Sequence, residues 1–139
     1  KINVLGFVSC MQAVLPKLTT NSSVVLYSTV AVKVGMPFHA SVAASKGALE
    51  GLGKSLAAEL APNTRVNVIA PSITNTPLAD RFLNNETKLE KSAQRHPLKR
   101  VGKAEDVASM TRFLLSDESS WMTGQIIGLD GGMSSLNTH

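Results

Sequence analysis

From Ile2 onward, apolar residues recur three or four positions apart at Val4, Leu5, Val8, Met11, Leu15 and Leu18, which predicts a helix running to about Pro16 or Leu18. Residues 19–23 are polar and read as a turn. The β-branched run 24–27, closed by Ser28 and Thr29, has the continuous apolar character of a strand covered on both faces. A loop over 30–39 carries Gly35 and Pro37 and leads into a stretch crowded with small residues, predicted to be helical to about Leu60, before Pro62 and Asn63. A second apolar run, 66–70, ends at Pro71. Beyond it come a turn-rich segment and two short amphipathic pieces around 78–83 and 88–93. The segment 104–115 has Val107, Met110, Phe113 and Leu114 at helical spacing, with Glu105 and Asp106 near its positive N-terminal end. A third apolar run, 124–129, stops at Asp130-Gly131-Gly132.

Strands alternating with helices imply right-handed crossovers and an α/β fold with an open parallel sheet of about three strands between helical layers. Residues 1–139 are expected to form a single domain. Three strands are few, so one sheet edge and parts of two apolar helix faces should be left uncovered. The chain also enters apolar-periodic sequence at once, with no capping residue before it, as though it began inside a helix, either short of its N-terminal part or as a natural truncation.

Composition narrows the setting. The single cysteine, Cys10, cannot close an internal disulfide, and no apolar run approaches the roughly 20 residues of a membrane span, so a cytoplasmic protein is expected. Cys10 sits among apolar residues and is expected to pack. The net charge of +4 owes much to Arg81, Lys88, Lys91, Arg95, Lys99, Arg100 and Lys103. Glu86 and Glu90 interrupt that series and no aromatics interleave with it, which favours a solvated helical face over nucleic-acid binding.

The candidate chemistry centres on the small-residue helix. Its segment H-A-S-V-A-A-S-K-G-A-L-E-G-L places Lys46 four residues after Val42, on one helix face. The segment resembles the short-chain dehydrogenase/reductase family, whose signature is Y-x-x-x-K on such a helix. Two further stretches extend the resemblance: R-V-N-V-I-A-P-S-I-T-N-T-P is similar to the family's R-V-N-x-I-x-P-G-x-x-x-T-P, and T-G-Q-I-I-G-L-D-G-G to its usual ending. Together they run over essentially the whole chain and correspond to the second half of a Rossmann-like domain.

The resemblance implies a set of roles. Lys46 would bind the nicotinamide ribose of NAD or NADP, and Asn3 would hold a water in a proton relay. Thr29, thirteen residues before Val42, would take the place of the serine that binds the substrate carbonyl, with Ser28 as a substitute. Val42 stands where the family has its catalytic tyrosine. Pro71, Ser72, Thr74 and Thr76 belong to the loop that wraps the nicotinamide, Ser72 replacing the usual glycine. No metal ligand set is implied. The family's phosphate-binding glycine turn, G-x-x-x-G-x-G after a strand, does not occur.

Each residue also has a plainer reading. Lys46 could pair with Glu50 one turn on, and Thr29 could bond its own loop. His39, three residues before Val42, is either a replacement acid/base or an exposed loop histidine. Tyr27 should point away from the side that Ser28 uses, and Lys33 is weaker still. The expected function is NAD(P)-dependent hydride transfer between an alcohol and a ketone, impaired by Val42, in a homodimer or homotetramer. The alternative is a non-catalytic scaffold that keeps the fold and its helix-mediated dimerisation. Neither nucleic acid nor membrane is an expected partner.

Overall fold

The computed structural model describes residues 2–137. Helix α1 (Ile2–Val14) passes through a 3-10 turn into strand β1 (Ser22–Tyr27), and a second 3-10 turn leads to the long helix α2 (Ala40–Leu60). Strand β2 (Thr64–Pro71) is followed by a two-residue strand β3 (Thr74–Asn75), the short helices α3 (Asp80–Leu83) and α4 (Glu86–Gln94), and a second two-residue strand β4 (Gly102–Lys103). Helix α5 (Ala104–Leu115) and strand β5 (Ile126–Leu129) complete the order. The main sheet is parallel, in the order β1-β2-β5. Helices α1 and α2 cover one face and α5 the other, which is the expected three-layer α/β arrangement.

The middle strand is the core. Every residue of β2 from Thr64 to Ala70 is buried, and Val66 and Val68 pack with Leu26, Leu49 and Ala57. Close approach of α2 depends on Gly53, where an added Cβ would lie 2.8 Å from Val68 Cγ2. Gly47, Gly51 and Gly53 all lie within α2 and form no turn after a strand.

All three strands of the main sheet differ in their ends from the pattern-based expectation, β2 running Thr64–Pro71 rather than over 66–70. Strand β1 begins earlier, at Ser22, because Ser22 and Ser23 pair with Thr64 and Arg65 of β2. Strand β5 begins later, at Ile126, because Gly124 turns through φ +70° and Asn67 Oδ1 takes the Gln125 amide. Cys10 is exposed rather than packed. It shares the outward side of α1 with Ile2 and Leu5, whereas Phe7 and Met11 face inward.

Two residues of the R-V-N stretch fasten the C-terminal segment. Arg65 Nη1 donates to Leu114 O, Ser119 O and Ser119 Oγ at 3.2, 2.9 and 2.7 Å, and Nη2 donates to Ser116 O at 3.1 Å. Asn67 Nδ2 donates to Met122 O at 2.9 Å. The start of α5 is closed by Asp106, which accepts from the Lys103 amide at 2.7 Å and from both terminal nitrogens of Arg100. The Arg100 hydrogen bond, followed by that of the Lys103 amide, lowers the Asp106 pKa to about 2.

Candidate active site

Strand β1 ends beside the first half of α2, and their contact builds the site. Tyr27 and Ser28 leave the strand on opposite sides, as the period of two requires. The Tyr27 hydroxyl lies 2.8 Å from Thr111 Oγ1 on α5, whereas the buried Ser28 hydroxyl donates to Glu50 Oε1 on α2. Thr111 gives its own proton to Val107 O, so Tyr27 is the donor. Glu50 is thereby occupied with Ser28, and among the described residues the one ion pair joins Arg100 and Asp106. The Lys46–Glu50 pairing considered from spacing is not formed.

Lys46 instead donates from Nζ to Tyr27 O at 2.8 Å. Burial pushes its pKa below the ordinary lysine value. Near it, Asn3 Nδ2 donates to Ser45 Oγ at 3.0 Å, and Ser45 donates on to Val42 O at 3.0 Å. Asn3, Lys46 and Tyr27 thus line one groove of about 270 Å³, floored by Phe7 and Leu49. Val42, 44% exposed, lies one turn before Lys46 on α2.

The other candidates stand around this centre. Thr29 caps the 3-10 turn, its Oγ1 accepting from Ala31 N at 3.3 Å, which is the own-loop bond of the plainer reading. His39 sits at the N-cap of α2, exposed, with Nδ1 2.7 Å from Pro37 O. A carbonyl only accepts, so Nδ1 carries the proton and Nε2 is left free.

The loop after β2 leaves the same C-terminal end of the sheet. Pro71 closes the strand opposite Leu129, and Ser72 N donates to Leu129 O at 3.2 Å. Thr74 Oγ1 donates to Ser72 O at 3.0 Å, and Thr76 Oγ1 to Thr74 O at 3.4 Å. The Thr76 bond is long, so its hydroxyl is free to turn to a ligand. The half-buried amine of Lys46 has two further N–H groups to offer. These are donors of the kind that the nicotinamide end of a dinucleotide would need. Among the described residues no glycine-rich turn joins a strand to a helix to hold its phosphates.

Two groups escaped the sequence reading. His96 is 1% exposed and Asp130 7%, and both line a partly open cavity of about 100 Å³ with Ser72 and Thr74. Burial raises the Asp130 pKa, but hydrogen bonds from Ser134 and from the Gly132 amide outweigh it and hold the carboxyl below its usual value. The ending D-G-G signals this second residue, because Gly131 and Gly132 take φ of +60° and +89° around it. His96 has no comparable local signal.

Comparison with known proteins bears on the family and the fold. The family model described as "Enoyl-(Acyl carrier protein) reductase" matches residues 1–134. The 3-oxoacyl-[acyl-carrier-protein] reductase FabG of Thermotoga maritima is 42% identical over 135 residues, covering 95% of this chain and 54% of that protein. Among solved structures, a short-chain dehydrogenase/reductase of the glucose/ribitol dehydrogenase type from Brucella melitensis superposes with a TM-score of 0.89 at 36% identity, over 95% of this chain and 53% of that one. A 4-hydroxyisoleucine dehydrogenase complexed with NADH gives a TM-score of 0.90 at 26% identity, over 98% of this chain and 58% of its own. The chain spans about half the length of the curated relatives it matches. By the family match, the parallel sheet and the helix carrying Lys46, this chain belongs to the short-chain dehydrogenase/reductase family of oxidoreductases.

Proposed function

We propose that this chain is the second half of an NAD(P)-dependent oxidoreductase domain that passes hydride between cofactor and an alcohol or ketone, with residue 42 making it slow. The observation that carries the reading is Lys46, partly desolvated and one turn beyond Val42, beside the Asn3–Ser45 bond. Lys46 orients the cofactor ribose, and Pro71, Ser72, Thr74 and Thr76 hold the nicotinamide. Thr29, or Ser28, meets the substrate oxygen, and Asn3 positions a water. When bound, the cofactor supplies or takes the hydride; the protein's share is to place the two carbons and to move a proton. Valine has no proton to move. That single absence favours the second reading, a scaffold that keeps the fold without turnover.

The first test is cofactor binding. Because phosphate-holding elements are missing from residues 2–137, the 139-residue chain alone should bind NADH and NADPH weakly or not at all. Titration calorimetry giving micromolar affinity for this chain would contradict that expectation. A steady-state NAD(P)H oxidation assay with ketones, on the intact protein, then separates the enzyme from the scaffold: cofactor binding without any turnover would favour the scaffold.

The second test is assembly. Helix α2 exposes a slim face of Ala44, Ala48, Gly51, Ser55 and Ala58, and α1 exposes Ile2 and Leu5 at 90% and 58%. Small side chains let another helix come close, and the apolar residues gain from being covered. A homodimer or homotetramer built on these helices is expected. Light scattering that returns a monomer at micromolar concentration would sink this part of the reading.

A further inference from the structure

The hydrogen bond between half-buried Ser72 and buried His96 ties the loop after β2 to a distant part of the chain. His96 Nδ1 lies 2.8 Å from Ser92 O, and Nε2 lies 2.8 Å from Ser72 Oγ. Since a carbonyl can only accept, Nδ1 holds the ring proton; in the neutral ring Nε2 is then an acceptor, and Ser72 must be the donor. Met133 Sδ, 3.5 Å from the same hydroxyl, is the weaker acceptor and loses the single proton to the imidazole. Asp130 lines the same cavity, but its carboxylate oxygens are taken by the amides of Gly132 and Ser134.

The backbone on both sides of this bond is tied to its surroundings. The His96 backbone amide donates to Ala93 O at the end of α4. Gly131 packs so closely that an added Cβ would sit 3.4 Å from His96 Cβ, and Leu98 N donates to Gly131 O at 3.2 Å. On the loop side, Ser72 N is bound to Leu129 O and the Gly102 amide to Ile73 O. The side-chain bond is thus the link between α4 and the residue from which Thr74 and Thr76 continue. A glycine at position 72 could not make it.

We propose that His96 is a positioning residue for the loop 71–76: by accepting the Ser72 hydroxyl proton it fixes the exit of β2 in the shape that Thr74 and Thr76 need to meet the cofactor. This rests on the reading of that loop as the nicotinamide site.

The test uses the intact protein, with NADH and NADPH binding followed by fluorescence. Ser72→Ala and His96→Leu should each weaken binding about tenfold, the scale of one intramolecular hydrogen bond. The double variant should be no weaker than either, since both remove the same bond. His96→Gln, whose Oε1 can accept from Ser72, should recover most of the affinity, which mere filling of the space would not do. In the wild type, side-chain nitrogen NMR should find Nδ1 protonated and Nε2 bare. Binding unchanged in Ser72→Ala, additive losses in the double variant, or the opposite tautomer would each overturn the role of His96 while leaving the cofactor reading intact. A wild type that binds neither cofactor would overturn both. Should His96→Leu fail to fold, Ser72→Ala, the smallest change, decides the outcome.

Discussion

Val42→Tyr is expected to raise the rate of ketone reduction by the intact protein about tenfold to a hundredfold. The argument starts from proton supply. A positioned general acid or base contributes about 10²–10⁴-fold to such a step, and a valine contributes none. The wild type should therefore turn over at least about a hundredfold more slowly than relatives that carry tyrosine at this position. The surroundings are ready for a phenol: residue 42 is 44% exposed, so a larger side chain meets open space, and Lys46 lies one turn on. A free tyrosine has a pKa of about 10, and the neighbouring ammonium lowers it toward the working pH. Recovery is partial because Lys46 now bonds Tyr27 O and would have to share itself with the new hydroxyl. The assay is steady-state NAD(P)H oxidation over a panel of ketones, for wild type, Val42→Tyr and His39→Ala. No gain in Val42→Tyr would mean that residue 42 is not what limits the rate. Brisk wild-type turnover that collapses in His39→Ala would move the proton transfer to the free Nε2 of His39.

The second large effect is on stability. Arg65→Met should cost about 2–4 kcal/mol, read from urea unfolding, and lower Tm by roughly 10 °C. Arg65 is only 8% exposed, and among the described residues it has no carboxylate partner. Its work is to satisfy the carbonyls of Leu114 and Ser116 at the C-terminal end of α5 and that of Ser119 just beyond. A cation there is also favoured by the helix dipole. Methionine matches the stem in length but removes four charge-assisted bonds at once, leaving the carbonyls only their neutral donors: Ser23 Oγ and Ser119 Oγ at Leu114, Ser119 N and Oγ at Ser116, and Met122 N at Ser119. Arg65→Lys should lose less, because one ammonium can reach some of the same oxygens but lacks the planar fork. A loss below about 0.5 kcal/mol for Arg65→Met would show that water replaces the guanidinium at little cost.

How much of this was written in the sequence differs from element to element. Apolar spacing placed α5 at its observed ends, Ala104 and Leu115, because an amphipathic helix on a sheet must repeat its buried face every three or four residues. Continuous apolar runs located the three main strands to within two residues, and the run of small residues before Pro62 gave α2 to Leu60 and announced close packing before Gly53 was seen against Val68. The alternation of strand and helix gave the parallel sheet. Family motifs gathered Asn3, Val42 and Lys46, and the structure places Asn3 and Lys46 along one groove.

Partner choice was not legible. Lys46 had a plausible mate in Glu50 one turn away, yet Glu50 is held by Ser28 and Lys46 by a backbone carbonyl of β1. Arg65 and Asn67 stood in the sequence only as letters of the R-V-N motif, and they prove to be fasteners of the C-terminal segment. His96 lies 24 residues from the serine it holds. Periodicity records which side of an element is buried, because burial repeats with the backbone. A hydrogen bond between elements depends on where two independently formed segments meet, and only the packed sheet and helices decide that.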